Sequence, residues 1–178
     1  SSIKDIDNLL AKTFKTAKKF APLPKEKRYT LQTTPQNEVI IAPYNAKNIY
    51  MVQFHNENKE WNPNDAAKIS IFNEYFGGGM NAIVFQEMRE ARALAYTASA
   101  SYHMPNRLGD KDYFNTFIIT QNDKMMDCIA QFNELLNNMP VRLANFDLAK
   151  QNLLKSLAST RTTKFSILSA YMNAQKMG

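Results

Sequence analysis

Residues 76–96 of this chain read FGGGMNAIVFQEMREARALAY. The three glycines at 77–79 end the apolar periodicity of one helix, and a second helix is predicted over 80–91. The apolar side chains of this second helix share one side at 100° per residue: Met80, Ile83, Val84, Met88 and Ala91. Arg89 falls opposite Met80, so we expect it to point away from the apolar side. An alternating pattern begins at Leu94 and predicts a strand.

The residues before this stretch predict strands followed by a helix. Three β-rich runs occur at 29–32, 39–42 and 49–55, of which the first is weak and the third alternates clearly. Asn62 and Pro63 then offer a helix start, because proline lacks only an amide that the first turn leaves unpaired. This helix is expected to reach the glycines.

The residues after this stretch predict a hairpin and two more helices. Alternation over 94–102 and 112–120, with a turn-rich loop between them, is typical of an antiparallel hairpin. Asn122 or Asp123 is the predicted cap of the next helix, and Asn145 that of the last. The fold class is therefore predicted as α+β, with helices packed on one face of an antiparallel sheet.

The first 28 residues are predicted to form a helix and a linker. The apolar residues of the helix recur at spacings of three and four: Ile3, Ile6, Leu10, Phe14 and Ala17. Proline disfavours helix in the residue before it, so the helix should end before Pro22. The segment 22–28 is rich in proline and charge and is expected to be a linker, so the first helix can belong to a different unit.

Composition excludes several classes of protein. In 178 residues, 44% are hydrophobic and 21% charged, which is typical of one folded domain and not of a disordered chain. One cysteine excludes an intrachain disulfide. No apolar run approaches the ~18 residues that span a bilayer, and no signal peptide is visible. The sequence does not distinguish between the bacterial periplasm, the cytoplasm and an organelle as the location of the protein.

The net charge of +6 raises the possibility of nucleic-acid binding. The basic excess lies partly in the first 28 residues, and no aromatic side chains that could stack on bases are interleaved with it. We therefore interpret these lysines as a solvated helix face and linker, and expect no nucleic-acid partner. The alternative that a mildly basic face binds acidic peptides stays open.

The sequence contains no complete catalytic or metal-binding pattern. Neither His55 nor His103 has a second ligand at the i+4 spacing that would turn two side chains of a helix towards one zinc ion. No Gly-x-Ser-x-Gly pattern occurs, and the glycine run lacks the Gly-Lys-Ser/Thr ending of a phosphate-binding loop. Cys128 is interpreted as a packing residue. We predict no catalytic residue and no metal site in this chain.

The stretch at 76–96 resembles the signature of the insulinase-like metallopeptidases. This family, also called pitrilysin-like or inverted zincins, includes the mitochondrial processing peptidases. Its members have a short glycine run, a helix ending in Phe-x-x-Leu-Arg-Glu, and then Gly-Leu-Ala-Tyr. The matching residues here are Phe85, Arg89, Glu90, Leu94, Ala95 and Tyr96. Met88 replaces the usual leucine and Ala93 the usual glycine.

The resemblance extends over most of the chain. Residues 8–14 look like the last helix of the preceding domain in the family, and residues 145–154 look like its late helix with an Ala-Lys pair. The resemblance implies three parts: 1–21 as a helix from the preceding domain, 22–28 as a linker, and 29–178 as an inactive-type half-domain. This half-domain looks incomplete at its C-terminal end, because family members run on through further elements.

The resemblance also implies a function. Family enzymes consist of two bowl-shaped halves around a chamber, and only the first half carries the zinc motif His-x-x-Glu-His. This chain lacks that motif, so it resembles the second, zinc-free half. By position, Arg89 and Tyr96 would hold the substrate backbone and polarise the scissile carbonyl. The implied partners are an unfolded peptide and a zinc-bearing half, on the same polypeptide or on a partner subunit.

Two alternatives stay open at this point. Spacing alone favours an Arg89 that pairs with Glu90, Glu87 or another surface acid, and a Tyr96 ring buried beside Leu94 and Ala98. The resemblance favours the substrate-binding interpretation instead. Some relatives of this fold are structural or assembly subunits without peptidase activity. A His-x-x-Glu-His motif in the flanking polypeptide or in a partner would separate the two functions.

Overall fold

The computed structural model describes residues 2–14, 21–22, 24–25, 27, 29–105 and 107–177. Its helices and strands are α1 Ile3–Thr13, β1 Asn48–His55, α2 Ala66–Phe72, α3 Ile83–Phe85, β2 Thr97–His103, β3 Tyr113–Gln121, α4 Met125–Asn137, α5 Leu143–Ser159 and α6 Ile167–Met177. Short 3₁₀ turns at Pro63–Asp65 and Asn122–Lys124 lead into α2 and α4, and wider π turns at Asn73–Gly77 and Gln86–Ala91 extend α2 and α3. The architecture is α+β, as predicted.

In the described residues the sheet is antiparallel and has the strand order β1-β3-β2. The predicted hairpin is β2 and β3, although Asn106 in its loop lies outside the described residues. One face is buried under the helices and includes Ala98, Ala100 and Ile118. Tyr50 and Val52 on the opposite face are exposed. Helices on one face therefore match the predicted arrangement.

The core lies between this covered face and the helices. Its fully buried side chains come from elements far apart in sequence: Phe76, Ile83, Val84, Met88, Ile118, Cys128 and Phe132. The predicted apolar side of the second helix is confirmed at three of its five positions. Met80 and Ala91 are exposed, because the helix begins only at Ile83, after the extended residue Ala82, and ends at Ala91.

The glycine run brings the end of α2 against strand β2. A Cβ atom built on Gly77 would clash with the backbone of Ala100, so only glycine permits this approach. Nearby, the Asn73 side chain donates to Tyr102 O at 2.9 Å and accepts from Tyr102 N at 2.8 Å. This amide pairs both backbone groups of an edge-strand residue, as a neighbouring strand would.

The predicted strands at 29–32 and 39–42 are wrong, since no strand forms before Asn48 in the described residues. Val39, Ile40 and Ile41 are exposed. Branched apolar side chains favour a strand only where a neighbouring strand and a buried face are available, and this segment packs against neither.

The two ends of the chain also differ from the predictions. Helix α1 forms with a Ser2 capping box, but Ile3, Ile6, Leu10 and Phe14 are exposed, and Ala17 lies outside the described residues. Of the predicted linker, residues 23, 26 and 28 also lie outside them.

At the other end, α5 begins at Leu143 after the N-cap residue Arg142, so the predicted Asn145 cap is wrong. The Asn145 amide donates instead to Asn81 O at 3.0 Å. Helix α6 was not predicted from the sequence. None of the helices in the described ranges is long and apolar enough to cross a membrane.

Candidate functional site

Arg89 and Tyr96 lie side by side at one end of the sheet. Arg89 is on the π turn that extends α3, and Tyr96 precedes strand β2. The Arg89 guanidinium carbon is 5.7 Å from the centre of the Tyr96 ring and 5.0 Å from that of the Phe85 ring. A guanidinium at these distances interacts favourably with aromatic rings. The structure therefore brings the two sequence-predicted residues into one site.

A tight turn at Ala93 explains why residues seven apart in sequence meet. Ala93 has a φ of +48°, in the left-handed region that favours glycine. Its amide donates to Arg89 O at 3.0 Å, and the Leu94 and Ala95 amides both donate to Met88 O. These bonds close the helix end and reverse the chain. This positive φ explains why glycine is usual at this position in the family that the stretch resembles.

Tyr96 as a residue is 73% exposed, so the burial that strand alternation predicted is wrong. Tyr96 lies in a bend before β2 begins at Thr97, and the alternation of the strand therefore does not extend to it. Its amide donates to Ile119 O at 2.8 Å, which fixes the backbone while the ring points outward. The phenol is accessible to a ligand.

Arg89 is only weakly engaged by acidic side chains. Its Nε lies 3.6 Å from Glu90 Oε1, and both side chains are about half exposed. Exposed pairs of this kind contribute roughly 0–1 kcal/mol. The other partner considered from the sequence, Glu87, is bound by Arg92 and Arg142 instead. Among the described residues, the acidic side chains therefore leave most of the donor groups of Arg89 for another partner.

Glu87 anchors the segment that carries Arg89. Its carboxylate is buried and accepts hydrogen bonds from Arg92 and from Arg142 at the start of α5. Burial raises the pKa of Glu87, but the hydrogen bonds and charges of the two arginines outweigh burial and hold it below its usual value. Sequence reasoning missed this cluster, because nothing local connects residues 87 and 142.

A surface pocket of about 300 Å³ opens beside Tyr96. It is lined by the turn residues Ala93, Leu94 and Ala95 and by the following polar residues: Asn48, Arg89, Tyr96, Thr120, Gln121 and Lys124. Lys124 Nζ donates to Ala93 O at 3.0 Å. The walls thus carry two cations and no acidic side chain. Lys124 was not predicted, because it reaches the pocket only through the pairing of β2 with β3.

The two histidines and the cysteine have separate surroundings, and His55 Nε2 lies 3.7 Å from Glu57 Oε1. His55 Nδ1 is 3.3 Å from Thr34 Oγ1, and His103 Nε2 is 2.6 Å from Asn115 Oδ1. Cys128 is fully buried, and its thiol donates to a backbone carbonyl. Within the described ranges, no three His, Cys, Asp or Glu side chains are grouped so as to hold a metal. These residues do not fit a zinc site, and no chemical step is assigned to zinc on this chain.

Comparisons with known proteins agree with the fold. The crystal structure of a peptidase M16 inactive domain from Pseudomonas fluorescens superposes with a TM-score of 0.50 at 20% identity. The match covers 74% of this chain but only 30% of the other, so this chain spans less than a third of the length of that structure. No curated protein matches. The family model described as the peptidase M16 inactive domain matches residues 1–162. This chain therefore belongs to the peptidase M16 inactive-domain family.

Proposed function

We propose that this chain is the non-catalytic, substrate-binding half of a zinc-dependent peptidase. The other half would carry the metal, and peptides would be hydrolysed in a chamber between the two. One observation carries the proposal: in an inactive-type domain, an exposed phenol and a weakly engaged guanidinium lie together, with their centres 5.7 Å apart. Groups that hold a substrate need to be accessible in this way.

Tyr96 would donate its hydroxyl proton to the carbonyl oxygen of the bond that is cleaved. Negative charge develops on that oxygen during hydrolysis, so the hydrogen bond is strongest in the transition state. Loss of one such donor costs roughly 3 kcal/mol, which lowers kcat on the order of a hundredfold. When bound to its own half, zinc would supply an activated water.

Arg89 would bind backbone carbonyls of the same peptide. Its planar fork of donors suits two acceptors at once. The rings of Phe85 and Tyr96 lie near the guanidinium and limit its conformations, so less side-chain entropy is lost on binding. The Glu87 cluster holds the underlying turn in place. We therefore assign binding to Arg89 and polarisation of the carbonyl to Tyr96.

The test is hydrolysis of an unstructured peptide by the full-length protein that contains this chain, with and without a chelator. Tyr96→Phe should lower kcat on the order of a hundredfold, and Arg89→Ala should raise KM and lower kcat/KM, because each variant removes a group that contacts substrate. The zinc content should not change in either variant. Tyr44→Phe and Arg161→Ala are matched controls, since both residues are exposed and neither lines the pocket.

The competing function is a structural or assembly subunit of the same fold. It is supported if the full-length protein has no chelator-sensitive activity on any unstructured peptide. Unchanged kinetics in both Arg89→Ala and Tyr96→Phe would contradict the site assignment while leaving family membership intact.

A further inference from the structure

The pocket beside Tyr96 has a positively charged wall. Arg89 and Lys124 both line it, and none of its wall residues is acidic. Glu90 lies 3.6 Å from Arg89 Nε but is outside the walls, so it offsets the positive charge only in part. Charge complementarity therefore favours an anionic group in this pocket.

Lys124 is held in position at the pocket. It ends the 3₁₀ turn Asn122–Lys124, and its ammonium donates to Ala93 O at 3.0 Å. An ammonium has three donors, and this bond uses one of them. The left-handed turn at Ala93 thus positions both Arg89, four residues earlier, and the ammonium of Lys124.

Neutral donors complete the walls. Asn48 and Gln121 face each other across the pairing of β1 with β3, and their amides can donate to a bound oxygen. Thr120 is already engaged, since its hydroxyl donates to Leu94 O at 2.6 Å. A volume of about 300 Å³ is at the small end of ligand sites, which suits one side chain or one chain end.

We propose that this pocket binds a carboxylate of the substrate peptide, with Lys124 as the residue that selects it. This inference rests on the proposed function and adds a preference for acidic peptides. The carboxylate can be an Asp or Glu side chain or the C-terminal α-carboxylate, because both offer the same two oxygens to Lys124, while Arg89 adds its positive charge to the wall. A carboxylate is a favourable partner for the point charge of a lysine ammonium.

Four versions of one unstructured, N-terminally labelled peptide separate the two sources. They combine an internal Glu or Gln with a free or amidated C-terminus. Fluorescence polarisation then gives the Kd of each peptide for the complete chain at 50 and 200 mM salt. We expect a carboxylate-bearing peptide to bind about fivefold more tightly than the neutral one, with a smaller difference at high salt. The version that shows the effect identifies the source.

Variants of Lys124 decide whether the pocket is responsible. Lys124→Gln should abolish the preference, Lys124→Arg should retain most of it, and Lys150→Gln on the exposed face of α5 should leave it unchanged. Circular dichroism melting checks that each variant is folded. Equal Kd values for all four peptides, or a preference that survives Lys124→Gln, would overturn the inference. Neutral peptide that still binds in an Arg89- and Tyr96-dependent way would leave the proposed function standing.

Discussion

A Cβ atom added to Gly77 would lie 2.6 Å from the carbonyl carbon and 2.7 Å from the amide nitrogen of Ala100. The end of α2 and strand β2 therefore meet backbone to backbone. Because strand backbone cannot move aside without disturbing the sheet, this contact admits no side chain.

Gly77→Ala should destabilise the protein by about 3 kcal/mol or more, since overpacking against rigid backbone forces the two elements apart. Urea unfolding followed by circular dichroism measures the change. Gly79→Ala is the matched control, because a Cβ there meets no atom within 4 Å, and its effect should stay within about 0.5 kcal/mol. Equal losses at the two positions would contradict the close-approach explanation.

Ala93→Gly should stabilise the protein by roughly 0.5–1 kcal/mol. A left-handed conformation costs alanine about 1–2 kcal/mol, which exceeds the backbone entropy that glycine loses on folding. The same substitution at Ala91, the last residue of the π turn, should destabilise by about the same amount, because no positive φ is relieved there. Thermal melts of the two variants measure the effect: the melting temperature should rise for Ala93→Gly and fall for Ala91→Gly.

Glu87→Gln should destabilise the protein by about 2 kcal/mol at pH 7, because two arginines lose their carboxylate partner. The arginines are partly exposed, which keeps the loss moderate. The pKa of Glu87 is lower in the folded chain than in the unfolded chain. Its carboxylate therefore stabilises the fold fully above the unfolded pKa of about 4.3, and this stabilisation is lost as the pH falls through the folded pKa.

Urea midpoints at pH 7 and pH 3 measure this effect. The difference between wild type and Glu87→Gln should shrink at the lower pH, while Glu134→Gln, on an exposed position of α4, should remain close to wild type at both. A difference that is independent of pH would show that the carboxylate charge is not responsible.

Asp112→Asn should stabilise the protein at pH 7 by about 1–2 kcal/mol, because it removes a buried negative charge whose two oxygens accept no hydrogen bond from the described residues. Burial raises the pKa of Asp112; Lys59 opposes this shift, and Asp65 and Glu57 add to it. The protonated form of Asp112 therefore stabilises the fold below the unfolded pKa of about 3.9, and this stabilisation is lost as the pH rises through the folded pKa.

The gain from Asp112→Asn should therefore vanish near pH 3, where the native carboxyl is protonated. Chemical unfolding at both pH values gives the comparison, and Asp110→Asn in the same loop serves as the control. A larger gain in stability at pH 3 than at pH 7 would be opposite to the expected pH dependence and would contradict the explanation that a buried charge destabilises the fold.

Arg89 and Tyr96 became candidates through the resemblance of residues 76–96 to a family signature, whereas spacing alone favoured a paired Arg89 and a buried Tyr96. Arg89 and Tyr96 are seven positions apart, and the helix, the turn and the strand between them all have patterns in the sequence. The exposure of Tyr96 was not predictable from alternation, because the bend before β2 depends on the hydrogen bond from its amide to Ile119, on a strand paired through the hairpin.

The amino-acid sequence by itself determined the α+β class, the helices on both sides of the glycine run, the hairpin and the Arg89–Tyr96 spacing, since these depend on short-range periodicity and turn residues. Only the tertiary structure decided that Lys124 joins the pocket, that Glu87 binds Arg142, and that 39–42 forms no strand. The reason is that charge pairing and strand formation depend on which distant segments become neighbours, and a one-dimensional pattern carries no information about that.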